Sequence, residues 1–152
     1  MPKVEKHLIG SLQTNKVRLA VELFDVIQSV DSLKLAKEID KRCKAINKVM
    51  PVLVEVNIGE ESNKHGIRLG DVESFVKEIS QLKNVDIQGL MCVAPLVSPE
   101  EARPYFKKMK QTFDSIKGLK WLSMGMSNDY KVAIEEGSNM VRIGTAIFGE
   151  RK

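Results

Sequence analysis

The sequence is poor in the residues that bind metals or form disulfides. It has two cysteines and two histidines in 152 residues, namely Cys43, Cys92, His7 and His65. They are scattered, without a CxxC pair or zinc-ligand spacing, so we expect neither a structural disulfide nor a metal site. The first residues also lack the apolar core of a secretory leader, and together these features predict a reduced, cytoplasmic setting.

Aromatic residues, clusters of like charge and long apolar runs are scarce as well. Aromatics make up 5% of the sequence, and 24 basic residues are interspersed with 20 acidic ones for a net charge of +4. A nucleic-acid surface would need a clustered basic stripe, so we expect no nucleic-acid partner. No apolar run approaches membrane-spanning length. With 43% hydrophobic residues the chain can bury a core, and its length predicts one domain over residues 1–152.

What the sequence does contain is a strand followed by a helix, repeated. Such alternation predicts an α/β fold with a parallel sheet and right-handed crossovers. Pro104 lies inside the helix that begins near Ser98, where it is expected to split off the first turn. The predicted strands cover residues 8–12, 24–30, 52–58, 85–93, 121–126 and 139–143.

The strand at 52–58 has the clearest alternation. Valines and an isoleucine occupy every second position, whereas Glu55 and Asn57 share the other face. In a barrel the apolar face packs on helices and the polar face points inward, which places Asn57 at the mouth. The irregular stretch 59–69 that follows suits either a wall of that mouth or a solvated loop, and we favour the loop.

Residues 123–149 have the chemistry of a phosphate site. Ser127 follows a short apolar strand at a position suited to a helix N-cap, and Gly137 is suited to the end of that helix. Arg142 is the charged residue of the next strand and precedes the turn at Gly144. Donor-rich turns after two successive strands near the C-terminus are typical of the phosphate site of a (β/α)₈ barrel. The alternative is that Ser127 is an ordinary helix cap and Gly144 lies in an ordinary turn, and that neither binds a ligand.

Several blocks, taken in order along the chain, resemble the pyridoxal-phosphate homeostasis protein family, whose members are single-domain relatives of the alanine racemase barrel. The blocks are HLIGSLQTNK at 7–16, VNIGEES at 56–62, GLM at 89–91, EARPYF at 101–106, SMGMS at 123–127, VRIGT at 141–145 and IFG at 147–149.

The resemblance implies a (β/α)₈ TIM-barrel type of fold that is incomplete. A full barrel typically needs at least about 200 residues, so about six βα units are expected here, with the first two missing. It also implies cofactor-binding roles for five residues. Ser127, Gly144 and Thr145 would contact the phosphate, Arg142 would lie near the phosphate or ring, and Met124 would form part of the pocket wall. The family's Schiff-base lysine has no counterpart in this sequence.

The function implied by the resemblance is therefore binding and homeostasis of pyridoxal 5′-phosphate, without catalysis. Two alternatives stay open: a barrel fragment that is non-functional or depends on a complementing chain, and a barrel enzyme that binds a phosphosugar or nucleotide. An incomplete barrel also leaves open sheet edges at 8–12 and 139–143, which predicts self-association.

Overall fold

The computed structural model describes residues 2–152, which form one sheet with helices on its outer side. Short 3₁₀ turns at Thr14–Lys16 and Leu69–Asp71 lead into the first and third helices. The strands are β1 His7–Leu8, β2 Val26–Val30, β3 Met50–Asn57, β4 Ile67–Arg68, β5 Val85–Cys92, β6 Trp121–Met126 and β7 Met140–Arg142. The helices are α1 Val17–Leu23, α2 Leu33–Ala45, α3 Val72–Ile79, α4 Pro99–Ser115, α5 Tyr130–Glu135 and α6 Thr145–Phe148.

All strand pairs in the described chain are parallel, as the alternation predicts. The order across the sheet is β1-β2-β3-β5-β6-β7, and β4 pairs with β3 outside this path. β1 and β7 are the two edges of the sheet.

The sheet curls strongly toward a barrel. β2 and β7 are four ladder steps apart, which would separate them by about 19 Å in a flat sheet. Yet Gln28 Nε2 on β2 lies 3.3 Å from Met140 Sδ on β7, and Ser123 Oγ on β6 lies 2.6 Å from Gln28 Oε1. The fold is thus an open, incomplete barrel of the expected α/β type.

The two faces of the sheet differ in composition as the pattern of β3 predicts. Val52, Val54 and Val56 are buried in a core that the sheet shares with the helices. Alternation places Leu53 and Glu55 on the concave inner face, where Leu53 is fully buried and Glu55 remains partly exposed. The inner face is therefore apolar at its base and polar toward the carboxyl ends of the strands.

The predicted break at Pro104 is wrong. α4 runs without interruption from Pro99 to Ser115, after a capping box in which Glu101 N donates to Ser98 Oγ at 3.3 Å and Ser98 N donates to Glu101 Oε2 at 3.0 Å. Pro104 has no N–H for the carbonyl four residues earlier, but it lies on the exposed side of the helix, where water can hydrate that carbonyl. The buried Phe106 holds the helix on the sheet.

Two other expectations need correction. The first strand is shorter than 8–12 and pairs with β2 only through His7 and Leu8; the pairing ends before Ile9, which is 48% exposed. The stretch 59–69 is not wholly loop, since β4 adds to β3. Gly66 permits this return, with φ of +119°, because a Cβ there would lie 2.5 Å from Asn57 N.

Candidate ligand-binding site

A groove of about 910 Å³ lies between the two edge strands, at the carboxyl ends of β6 and β7. Ligands of parallel α/β folds bind at this end of the strands. The lining comes from β1, β2 and the C-terminal segment: His7, Ile9, Gln28, Met126, Ser127, Asn128, Met140, Val141, Arg142, Ile143, Gly144, Thr145, Phe148, Gly149 and Arg151.

Two backbone N–H groups converge on one oxygen at the mouth of the groove. Gly144 N donates to Ser127 Oγ at 3.3 Å, and Ala146 N donates to the same oxygen at 3.1 Å. Gly144 and Thr145 are exposed and Ser127 is half-buried, so solvent and ligands can reach this point. We call residues 144–146 with Ser127 the phosphate turn, because convergent N–H donors suit a phosphate oxygen.

Ser127 is not a helix N-cap. α5 begins at Tyr130 and its N-cap is Asp129, whose Oδ1 accepts a hydrogen bond from Met126 N at 2.8 Å. This bond closes a tight turn and leaves the Ser127 hydroxyl facing Gly144 and not its own helix. The prediction that Ser127 caps the following helix is therefore wrong. The serine that it singled out nevertheless faces backbone N–H donors, those of Gly144 and Ala146.

The helix end at Gly137 is confirmed. Gly137 has φ of +103°, its N donates to Ile134 O at 3.0 Å, and Ser138 N donates to Ala133 O at 2.9 Å. These two bonds form a Schellman motif. The motif turns the chain sharply back into β7 and so brings β7 beside β6.

Arg142 lies on the inner face and not among the donors of the phosphate turn. Its side chain is 9% exposed, Nη1 donates to Ser123 Oγ at 2.6 Å, and Nη2 donates to the Cys92 carbonyl at 2.8 Å. Within residues 2–152 no carboxylate forms an ion pair with it, and Asp129 and Glu55 act on it only at longer range. Burial lowers the pKa of Arg142, although a guanidinium stays protonated in proteins. The groove thus contains a buried cation without a counter-charge.

Cys92 is not an activated nucleophile of the groove, because its side chain packs in the core that the sheet shares with the helices. Complete burial raises the pKa of the Cys92 thiol to about 12, despite the opposing effect of Arg142. Burial also raises the pKa of Glu55, and the neighbouring Asp31 carboxylate acts in the same direction. At neutral pH the thiol is therefore protonated and unreactive.

Four of the five predicted cofactor-binding residues line the groove, and one does not. Ser127, Arg142, Gly144 and Thr145 are brought together, whereas Met124 is completely buried in the core against the helices. Met124 was misplaced because alternation along β6 directs it outward. The methionine in the groove wall is Met126.

His7 and Gln28 also line the groove and were not among the residues predicted from the sequence. Gln28 is the signal that could have found them, because an amide within the apolar strand Val26–Val30 requires a polar partner once buried. Among residues 2–152 the cationic lining consists of Arg142 and Arg151, without a lysine. The described residues contain no cluster of three metal-ligating side chains, and none of their helices is long and apolar enough to cross a membrane.

Comparison with known proteins decides the family. Residues 4–152 match the family described as "Alanine racemase, N-terminal domain". The chain belongs to this family. A member from Aquifex aeolicus named pyridoxal phosphate homeostasis protein is 45% identical over 155 residues, which cover 98% of this chain and 68% of that protein. A protein of the same name from Vibrio alginolyticus is 40% identical, over 98% of this chain and 66% of that protein.

A solved structure agrees with these matches. PipY of Synechococcus elongatus, solved with PLP bound, superposes with a TM-score of 0.88 at 35% identity, covering 98% of this chain and 72% of PipY. The predicted resemblance to pyridoxal-phosphate homeostasis proteins is thus confirmed. The chain spans about two thirds of the length of these curated relatives.

Proposed function

We propose that this chain binds pyridoxal 5′-phosphate in the groove and acts as a non-catalytic carrier in pyridoxal-phosphate homeostasis. The observation that carries the proposal is the phosphate turn, where the N–H groups of Gly144 and Ala146 converge on Ser127 Oγ. A phosphate oxygen would replace the serine oxygen as their acceptor, and the freed Ser127 hydroxyl would donate to the ligand. The names of the relatives and the ligand bound to PipY support the same ligand.

The ring of the ligand would extend from the phosphate turn toward the inner face. Arg142 and Gln28 lie there, and Met126, Met140 and Phe148 supply apolar wall. The buried charge of Arg142 has no ion-pair partner among residues 2–152, so a hydrogen-bond acceptor on the ring would stabilise it. When bound, the cofactor supplies an aldehyde that reacts reversibly with amines.

We infer that the chain itself is not an enzyme. The Cys92 thiol near Arg142 stays protonated because burial raises its pKa to about 12, so it is unsuited to nucleophilic chemistry. The residues that line the groove bind and orient, and none of them forms a nucleophile–base pair.

Binding by this chain is expected to be weak. Pyridoxal phosphate has about 16 heavy atoms, and an efficiency of about −0.3 kcal/mol per atom gives a free energy near −5 kcal/mol. This corresponds to a dissociation constant of about 0.1–1 mM. No lysine lines the groove among residues 2–152 to add a covalent bond.

The proposal is tested by hydrogen exchange with three ligands: pyridoxal phosphate, pyridoxal without the phosphate, and inorganic phosphate. We expect pyridoxal phosphate to protect residues 144–146 and the strand end at 124–128 most strongly. Inorganic phosphate should protect only the turn, and pyridoxal should protect neither segment at the same concentration. If pyridoxal phosphate at several millimolar protects no amide within residues 123–149, the proposed function is wrong.

A further inference from the structure

A chain of side-chain hydrogen bonds crosses the concave face of the sheet. It starts at Arg142 on β7, whose Nη1 lies 2.6 Å from Ser123 Oγ, and continues over 2.6 Å from Ser123 to Gln28 Oε1. Gln28 Nε2 then lies 2.8 Å from His7 Nδ1, and His7 Nε2 lies 2.6 Å from Glu5 Oε1. We call these five side chains the inner-face network.

The ends of the network fix its direction. Arg142 can only donate, so Ser123 Oγ accepts from it and uses its own proton toward Gln28. The Gln28 oxygen must then face Ser123, which turns the amide N–H toward His7. His7 Nδ1 therefore accepts and Nε2 carries the proton, which it donates to the ionised Glu5 carboxylate. Every donor points from the guanidinium toward the carboxylate.

The network restricts the side chain of Arg142. Gln28 and Ser123 are almost completely buried, so water does not readily replace either partner. With Nη1 held by Ser123 and Nη2 by the Cys92 carbonyl, the guanidinium plane is fixed. The three remaining N–H groups of Arg142 are left for the groove.

We propose that His7, Gln28 and Ser123 are positioning residues that fix the orientation of Arg142 for the ligand of the groove. The proposal rests on the proposed function in so far as the groove binds pyridoxal phosphate. Removing the His7 acceptor leaves the Gln28 amide N–H groups with only the weak acceptor Met140 Sδ at 3.3 Å, so the orientation of the amide is less strongly fixed. The Ser123 hydroxyl then loses a fixed acceptor, and the guanidinium loses one of its two anchors.

The first experiment needs no ligand. The sequence has only two histidines, so a long-range ¹H–¹⁵N spectrum of the imidazoles contains two ring systems. At a pH where both are neutral, His7 should have its proton on Nε2 alone, and Gln28→Leu should change this pattern without moving His65. The Arg142 Nη protons should give separate, slowly exchanging signals that broaden in His7→Leu and return in His7→Asn. Asn restores an acceptor near the position of Nδ1.

The second experiment links the network to binding. In a double-mutant cycle, His7→Leu should weaken pyridoxal phosphate binding by about fivefold and His7→Asn by clearly less. In an Arg142→Met background the effect of His7→Leu should disappear, because nothing is left to position. His65→Leu changes the other histidine and should leave binding unchanged.

The outcomes separate this proposal from the proposed function. A His7 ring protonated on Nδ1, or Arg142 signals unaltered in His7→Leu, would overturn the network. Additive effects of His7→Leu and Arg142→Met would also overturn it, since His7 would then act without Arg142. If the unmodified chain fails to bind pyridoxal phosphate, the proposed function fails, and the ligand-free spectra still decide whether the network positions Arg142.

Discussion

Gly144→Ala should separate ligand binding from folding. Gly144 lines the groove and its N–H points at the centre of the phosphate turn. A Cβ built at this position has no atom within 4 Å, so alanine meets no neighbour, although φ of −120° and ψ of −80° form a sparsely populated backbone conformation. The added methyl group therefore projects into the empty groove, where a bound phosphate would have to approach the backbone closely.

The two effects differ in size. In the ligand-free chain the methyl group meets no neighbour, so the cost is confined to the backbone conformation, and the free energy of unfolding should fall by about 1 kcal/mol. In the complex, the methyl group pushes the phosphate away from the N–H groups of Gly144 and Ala146. The loss of one charge-assisted hydrogen bond, about 1.5–3 kcal/mol, weakens binding by about tenfold to a hundredfold.

Binding is measured by absorbance titration with pyridoxal phosphate, and stability by urea unfolding. Gly70→Ala is the matched control, because a Cβ there also has no neighbour within 4 Å and Gly70 lies outside the groove. It should leave binding unaltered. The reasoning is refuted if Gly144→Ala binds as tightly as the unmodified chain, or if its unfolding midpoint falls far below that of the control.

Three further changes test the fold. Gly89→Ala should cost more than about 3 kcal/mol in urea unfolding, because its Cβ would lie 1.8 Å from Trp121 O and force β5 from β6; a small loss would contradict this packing. Burial raises the pKa of the Glu55 carboxyl in the folded chain above its ordinary value of 4.5. The folded state therefore loses stability relative to the unfolded state as the pH rises past that ordinary value and Glu55 ionises. Glu55→Gln should therefore raise the unfolding midpoint more at pH 7 than at pH 4, unlike Glu73→Gln, which changes an exposed carboxylate. Ser98→Ala should cost about 1 kcal/mol through its cap, and no loss would count against the capping box.

Local patterns predicted the elements whose stability depends on near neighbours in sequence. The alternation of Val52, Val54 and Val56 identified the face of β3 that packs on the helices, because a period of two follows from strand geometry alone. Gly137 marked a helix end for a similarly local reason, since the Schellman motif involves only residues within one turn.

The predictions that depend on contacts between distant elements were less complete. The length of β1 depends on how far the chain stays beside β2, and the run at 8–12 contains no sign that the pairing ends after Leu8. The position of the Arg142 side chain depends on Ser123 and on the curl of the sheet. The sequence identified Arg142 as the charged residue of β7 but left open whether it reaches the phosphate or the ring.

The two parts of the site differ in how they depend on the rest of the chain. The phosphate turn is built within residues 127–146, on strands and a helix that are continuous with the core. The inner-face network joins side chains that are 95 residues apart in sequence at Gln28 and Ser123, and it ends at His7 on β1 and at Glu5 just before that strand. β1 is an edge strand of two residues, so opening it locally breaks few backbone hydrogen bonds. Opening of β1 would remove His7 from the network and weaken the anchor of Arg142 on Ser123, while leaving its bond to the Cys92 carbonyl and the phosphate turn intact. If the groove binds as proposed, we expect contacts to the ring to weaken before contacts to the phosphate.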